Sequence, residues 1–383
     1  MHLIRKKLIE NDIIKNMEKV GITIIGAGVV GLAIGAELSK KHKDIVLVEK
    51  EASFGQETSS RNSEIIHAGL YYEKDSLKAK LCVEGKDLLY AFCKENNIPH
   101  AKPGKIIAAV DKEEEKQLYQ LAQKGKANGV IDLQPLTKKQ THEMEPSVNA
   151  YASLFSPSTG IIDSHSLMKC LEQKAKDRGA IISYRSEVKG IRYTGKGYIV
   201  NIDGEEAIET EVLINSAGLY SDKIAAMAGI NIEKNKYKLH YCKGEYFSYN
   251  KSSFIKHLIY PVPEPETISL GVHAVIDLAG GLKFGPSAEY VEQINYDVNL
   301  QNRYKFWESV VKLFPQVIEE DLSPDQAGIR PKLQGPGEGV RDFVIKEESD
   351  NGLPGLINLI GIESPGLTAC LAIARYVSNA LTP

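Results

Sequence analysis

Residues 22–31 read Ile-Thr-Ile-Ile-Gly-Ala-Gly-Val-Val-Gly, and Glu49 closes a second apolar run, Asp44-Ile-Val-Leu-Val-Glu49. A strand, a Gly-x-Gly-x-x-Gly turn, a helix and an acid at the end of the next strand are the parts of a βαβ unit that holds a dinucleotide. Gly26 supplies the tight turn, Gly28 the close backbone approach to a pyrophosphate, and Gly31 the close packing of helix on strand. The helix is expected to start near Gly28, which turns its unpaired N–H groups and positive dipole end toward the diphosphate. Glu49 is placed to accept a hydrogen bond from a ribose hydroxyl. Such glycines also occur in ordinary turns, so the joint occurrence of the four parts carries the assignment.

That unit occupies a small part of 383 residues, 43% of them hydrophobic. A chain of this size buries more than one core, so two domains, or one interleaved pair, are expected. Its 47 basic against 50 acidic side chains leave a formal net charge of −3, which offers nucleic acid no general attraction, and no such partner is expected. Cys82, Cys93, Cys170, Cys242 and Cys370 show neither a CxxC pair nor metal-ligand spacing. That scatter fits a reducing compartment, giving a cytoplasmic expectation with no metal site. No window reaches the roughly 18 uninterrupted apolar residues that span a bilayer. Residues 1–16 place Arg5, Lys6, Lys7 and Lys15 among Leu3, Ile4, Leu8, Ile13 and Ile14, without the apolar core and cleavage site of a secretion signal. Two readings stay open for them: a disordered leader covering residues 1–19, or a short amphipathic helix in peripheral contact with the inner face of a membrane.

Beyond Glu49, residues 53–63 form a polar, turn-rich loop with many hydroxyl and amide donors, leading into Glu64-Ile-Ile-His-Ala-Gly-Leu-Tyr-Tyr72. Residues 76–97 carry Leu77, Leu81, Leu88, Leu89 and Phe92 at helical spacing; 105–110 read as a strand and 112–126 as an exposed, charged helix. From Gly160-Ile-Ile-Asp163 a second βαβ-like passage begins, with a helix to 176, a strand at 180–184, a hairpin of 188–193 and 198–202, and a buried strand at 211–216 ending in Ala217-Gly218. Residues 237–285 alternate as an antiparallel sheet would, around 246–247, 258–260, 268–270 and 282–284. The end returns to nucleotide-fold character: a strand at 356–360, a turn at 361–366 and a helix at 367–378. The expected division gives a cofactor domain of 20–85, 150–225 and 325–383, interleaved with a substrate domain of 86–149 and 226–324.

Five separated pieces, Ile24-Ile-Gly-Ala-Gly28, Thr58-Ser-Ser-Arg-Asn62, Gly160-Ile-Ile-Asp163, Asn215-Ser-Ala-Gly218 and Gly361-Ile-Glu-Ser-Pro-Gly-Leu-Thr368, together resemble the D-amino-acid oxidase superfamily. More narrowly, Arg61-Asn-Ser-Glu-Ile-Ile-His-Ala-Gly-Leu-Tyr-Tyr72, Lys243-Gly-Glu-Tyr-Phe247, Tyr260-Pro-Val-Pro263, Gly271-Val-His273 and Gly285-Pro-Ser are similar to its L-2-hydroxyglutarate dehydrogenase/oxidase branch. The resemblance implies an α/β fold: a glutathione-reductase-type, Rossmann-like FAD-binding domain interleaved with an antiparallel-sheet α+β substrate domain. Two departures stand out. Glu64 occupies a position where that branch usually has glycine, bringing a carboxylate that either alters substrate charge preference or faces solvent. Residues 274–281 also differ from the branch. Glycerol-3-phosphate dehydrogenases and glycine or sarcosine oxidases share the first βαβ unit, so fold alone does not choose among substrates.

The resemblance implies FAD rather than NAD, with its adenine end at Gly26, Gly28, Gly31 and Glu49. Ser59, Ser60, Arg61 and Asn62 would face the diphosphate and ribityl chain, where hydroxyl, amide and cationic donors suit an anionic tether, and Lys50 and Ser63 would also bind the cofactor. Val188, Ala217 and Gly218 would border the same crevice. Gly361, Glu363, Ser364, Pro365, Gly366, Leu367 and Thr368 form the turn and helix start whose dipole faces the flavin ring. In the reaction so implied, a 2-hydroxy acid gives its Cα hydride to flavin N5 while a base takes the hydroxyl proton. A neutral histidine suits that task, with His67 the first candidate and His273 the second. A small-molecule carboxylate substrate needs cationic or multi-donor anchors, for which Arg330, Lys332, Lys243, Tyr260 and Tyr72 are the candidates. The electron acceptor is expected to be a quinone or oxygen.

Overall fold

Ile22, Ile24, Ile25 and the four residues Ile45–Val48 are all buried, as strands in the middle of a covered parallel sheet must be. In the computed structural model, which describes residues 18–203, 206–263 and 271–381, Glu18–Ile25 pairs in parallel with Ile45–Val48 on one side and Glu206–Asn215 on the other. The expected leader and the expected strand at 268–270 lie outside the described residues. Ile181–Ser183 extends the sheet beyond Ile45–Val48, and the hairpin Val188–Tyr193 with Tyr198–Ile202 flanks its other side. Glu206–Asn215 is long enough to pair with the hairpin through its first half and with Leu353–Ile360 through its last three residues. The two ends of the chain therefore share one sheet.

Helices cover it because their apolar stripes need a partner surface. Leu32, Leu81, Leu89, Leu167, Ile373 and Val377, from the helices Val29–Leu38, Leu77–Glu95, Ser164–Asp177 and Gly366–Ala380, belong to one buried cluster against one face. On the other face, Ile224 and Ala225 of Ser221–Met227 pack with Tyr198, Val200 and Leu356. Four of the eight described α-helices start on a side-chain cap: Ser76, Asp111, Thr137 and Asp163 each accept a backbone N–H of the first turn. Val29–Leu38 and Gly366–Ala380 begin instead at Gly28 and Pro365, which provide none.

The second sheet runs in the order Glu289–Val291, His240–Tyr249, Leu282–Gly285, His273–Ile276, Leu258–Pro261, Lys105–Ala109, Ala152–Ser156 and Gln134–Thr137. It is antiparallel except where Leu258–Pro261 and Lys105–Ala109 run side by side. The strand Leu322–Lys332 pairs with His240–Tyr249 along its whole length, so its residues from 325 onward lie in this sheet and not, as the sequence division had it, with the cofactor segments. Its Ser-Pro-Asp opening reads as a turn, which hid it. Ala152–Ser156 likewise joins the second sheet, while Leu77–Glu95 packs against the terminal helix on the first. Among the described residues no helix is long and apolar enough to cross a membrane.

Candidate active site

A cavity of about 1390 Å³ lies between the two sheets, bordered at one end by Gly26 and Gly28 and at the other by His273 and Tyr260. Gly26 has φ +99°, and a Cβ there would sit 2.7 Å from Ser216 O. Gly31 does not border the cavity. A Cβ on it would lie 2.0 Å from Gly26 O, so its bare Cα is what lets the helix close on the turn. Glu49 borders the cavity but is already partly engaged. One carboxylate oxygen accepts Ala27 N–H at 2.7 Å and the other accepts Glu51 N–H at 2.9 Å. A carboxylate has about four acceptor positions, so two remain for a ribose.

The uncapped start of Val29–Leu38 is met from a distance: Ser59 Oγ accepts Val29 N–H at 3.0 Å, leaving its own hydroxyl proton to donate. Ser60 is exposed, donates to Glu57 O and does not border the cavity, because the short 3-10 turn Thr58–Ser60 points consecutive side chains in different directions. Asn62 serves the loop itself, its amide donating to Thr58 O and Ser59 O while its oxygen accepts Glu64 N–H. Arg61 lays its guanidinium 3.9 Å from the Tyr296 ring centroid and keeps a buried Nε with no hydrogen-bond partner. Lys50 Nζ lies 3.1 Å from Glu51 and 3.2 Å from Glu57, over the Tyr220 ring. Burial works against its charge, but the bonds to Tyr220, Glu51 and Glu57 outweigh it and hold the ammonium above its ordinary range. Ser63, Val188, Ala217 and Gly218 also border the cavity.

Glu363, Ser364, Pro365, Gly366, Leu367 and Thr368 line the cavity as well, at the uncapped start of Gly366–Ala380. Gly361, at φ +70°, makes the turn that delivers them and does not itself border the cavity. Thr368 Oγ1 accepts His67 N–H at 3.0 Å and donates to Ile65 O at 3.2 Å, so the last helix holds the histidine segment directly. Glu363 sits between Lys78 Nζ at 2.9 Å and Lys332 Nζ at 3.2 Å. Burial would raise its carboxyl, but the two ammoniums hold it below the usual range. Lys332 shares this one carboxylate with Lys78, so the trio carries a net positive charge where it borders the cavity. Lys78, the other partner, was not singled out from sequence.

The cavity is also lined by His67, His273, Tyr71, Tyr72, Tyr260 and Arg330. His67 Nε2 lies 3.3 Å from Ser364 Oγ, and its Nδ1 is buried with no partner. Burial, then the nearby Lys105, push this imidazole down to about 3. His273 Nδ1 is 3.0 Å from Gly271 O. A carbonyl can only accept, so Nδ1 carries the hydrogen and Nε2, also buried and unpartnered, presents a bare lone pair. Burial lowers His273 as well. Tyr260 stacks on His273 with ring centroids 3.8 Å apart. Arg330 borders the cavity with its guanidinium 3.7 Å from Cys242 Sγ, unclaimed by any carboxylate among the described residues. Lys243 does not border the cavity. Along His240–Tyr249 it is Gly244 and Tyr246 that border the cavity, and the two-residue period of a strand sends Lys243 to the other face, where it meets Glu245 at 3.3 Å.

The cavity thus brings a dinucleotide turn and a second, uncapped helix start together with a wall of neutral imidazoles. Glycine backbone, Glu49, the Ser59 hydroxyl and an unpartnered Arg61 Nε suit a flavin dinucleotide. The family model described as FAD dependent oxidoreductase (DAO) matches residues 21–380. The chain belongs to the FAD-dependent oxidoreductase family. Within it, this member is 38% identical over 404 residues to the mitochondrial L-2-hydroxyglutarate dehydrogenase of Arabidopsis thaliana, covering 94% of this chain and 83% of that one. It is 30% identical over 395 residues to the L-2-hydroxyglutarate dehydrogenase of Indibacter alkaliphilus, covering 93% and 97%. Among solved structures, the dithionite-reduced L-alpha-glycerophosphate oxidase of Mycoplasma pneumoniae with FAD bound superposes with a TM-score of 0.85 at 27% identity, covering 95% of each chain. FAD is the cofactor of this family member, and the fold is the α/β arrangement the resemblance implied.

Proposed function

We propose that the chain oxidises L-2-hydroxyglutarate to 2-oxoglutarate. The reading is carried by the buried, unpartnered polar atoms His67 Nδ1, His273 Nε2 and the hydroxyls of Tyr71 and Tyr260, which belong to cavity-lining residues in a chain similar over 94% of its length to an L-2-hydroxyglutarate dehydrogenase. Buried polar groups are normally satisfied, so such a cluster marks where a polar substrate completes the site. FAD, when bound, supplies the two-electron acceptor that takes the Cα hydride. The protein's residues do the rest. Arg330 offers a fork of donors to a carboxylate. His67 is the proposed proton acceptor: with Nε2–H donating to Ser364 Oγ, its Nδ1 lone pair is free for the substrate hydroxyl. His273 Nε2 gives a second acceptor of fixed tautomer in the same cavity. Ser59, Arg61 and the glycine turn would hold the dinucleotide, and the start of Gly366–Ala380 would add its dipole to the site. The division into cofactor and substrate domains, with reoxidation by a quinone or oxygen, belongs to the same proposal.

Anaerobic mixing of the FAD-loaded protein with L-2-hydroxyglutarate, lactate, glycine, sarcosine and glycerol-3-phosphate tests the reading by which compound bleaches the flavin absorbance. L-2-hydroxyglutarate is expected to bleach it fastest, and bleaching only by glycerol-3-phosphate or an amine overturns the assignment. Admitting oxygen or a soluble quinone afterwards identifies the acceptor. His67→Ala is expected to slow bleaching by about 100-fold or more while FAD stays bound, the usual contribution of a general base. Unchanged bleaching removes His67 from that role.

A further inference from the structure

Lys105 opens the strand Lys105–Ala109 in the middle of the second sheet and is fully buried. Its Nζ has no hydrogen-bond partner. The ammonium lies 4.3 Å from the Tyr71 ring centroid and 4.6 Å from that of Tyr260, the ring that stacks on His273. The groups facing it are Cys82 from the helix Leu77–Glu95, the two tyrosines, His67 and His273, with Lys86 and Arg330 beyond them. None is an acid. The Cys82 thiol is pushed up to about 12 by burial and stays neutral. An aromatic sandwich stabilises a cation but does not neutralise it, and a buried charge without a counter-ion is costly unless something else supplies one.

We propose that Lys105 is a positioning residue whose counter-charge is the substrate: a carboxylate docked against the hydroxyls of Tyr71 and Tyr260 is held by the ammonium behind their rings. This rests on the 2-hydroxy acid reading and adds to it the subsite for one carboxylate. The same charge faces both imidazoles and, with their burial, keeps them neutral at the expense of their basicity. Burial brings Lys105 down to about 7, so the amine is charged below that pH and neutral above it. An anion prefers the charged form. Its affinity is therefore level on the acid side and weakens above about pH 7, by up to about tenfold per unit, because binding must then draw a proton onto the amine.

The test uses the FAD-loaded protein and glutarate, a dicarboxylate without the reacting hydroxyl, followed by the flavin absorbance shift from about pH 6 to about pH 9. Wild type is expected to bind progressively less tightly above about pH 7, with proton uptake on mixing at about pH 8 and little at about pH 6. Lys105→Met is expected to retain FAD, bind glutarate on the order of tenfold more weakly at about pH 6, and lose the pH slope. A purely structural lysine would change FAD content or melting temperature without touching that slope. If Lys105→Met loses FAD, wild-type proton uptake alone decides, and its absence overturns the proposal. Wild type that binds glutarate with the same slope as Lys105→Met overturns this inference alone. Wild type that neither binds glutarate nor is bleached by L-2-hydroxyglutarate overturns the substrate reading and this one with it.

Discussion

Glu64 stands where the branch it resembles has glycine, and its backbone gives the reason for the glycine: φ is +55°, a left-handed conformation that costs a side-chain-bearing residue about 1–2 kcal/mol. The carboxylate offsets that cost locally. One oxygen accepts both Ser164 N–H at 2.9 Å and Ser164 Oγ–H at 2.6 Å, fastening the start of Ser164–Asp177. It does not border the main cavity, so it neither reaches substrate nor faces solvent freely. Glu64→Gly is therefore expected to leave the order of substrates unchanged and to move the melting temperature of the FAD-loaded protein by only a few degrees, relief of strain balancing loss of a cap worth about 1 kcal/mol. A switch in substrate preference would contradict this. The same locality explains what could be read at single positions. Gly26, Gly28 and Gly31 announce themselves within ten residues of sequence. Lys78 and Lys105 do not, because what makes them matter, Glu363 in one case and the rings of Tyr71 and Tyr260 in the other, arrives from distant segments. Lys105 did leave one trace, a lone charge at the head of an otherwise apolar, fully buried strand.

Between elements, Leu77–Glu95 crosses Gly366–Ala380 at backbone contact. A Cβ at Gly85 would lie 2.5 Å from Thr368 O and 2.7 Å from Ala369 Cα, both backbone atoms that cannot rotate away. Thr368 is also the residue that holds His67, so this crossing sets where the histidine stands relative to the flavin turn. Gly85→Ala is expected to destabilise the protein by about 1–3 kcal/mol and to weaken flavin retention, read by thermal melting and by flavin release on dilution. Wild-type melting and retention would show that the crossing has slack. Helices and buried parallel strands were legible because their periodicity and caps are local. The strand Leu322–Lys332 was not, since Pro324 and Asp325 read as a turn, and its eleven residues gain their regularity from pairing with His240–Tyr249, some eighty positions earlier.

For the molecule as a whole, three buried bases set the response to pH. Native His67 stays neutral down to about 3, whereas in the unfolded chain it takes a proton near its ordinary 6.5. The unfolded state binds more protons in that interval, so stability falls as pH drops below about 6.5. His273 is lowered by burial and acts in the same direction. Lys105 acts over a higher window, from about 7 in the native protein to its ordinary 10.5, so stability climbs as pH rises through it. The apoprotein is expected to melt several degrees higher at about pH 8.5 than at about pH 5, and Lys105→Met to flatten the rise above about pH 7. A melting temperature highest at about pH 5 would contradict both.

Residues near 26, 188, 217 and 364 border one cavity although they are spread over almost the entire chain. During synthesis the glycine turn emerges early but stays an unfinished cradle until the last helix has left the ribosome. A chain cut short before that helix therefore lacks the stretch of cavity wall that residues 364–368 supply.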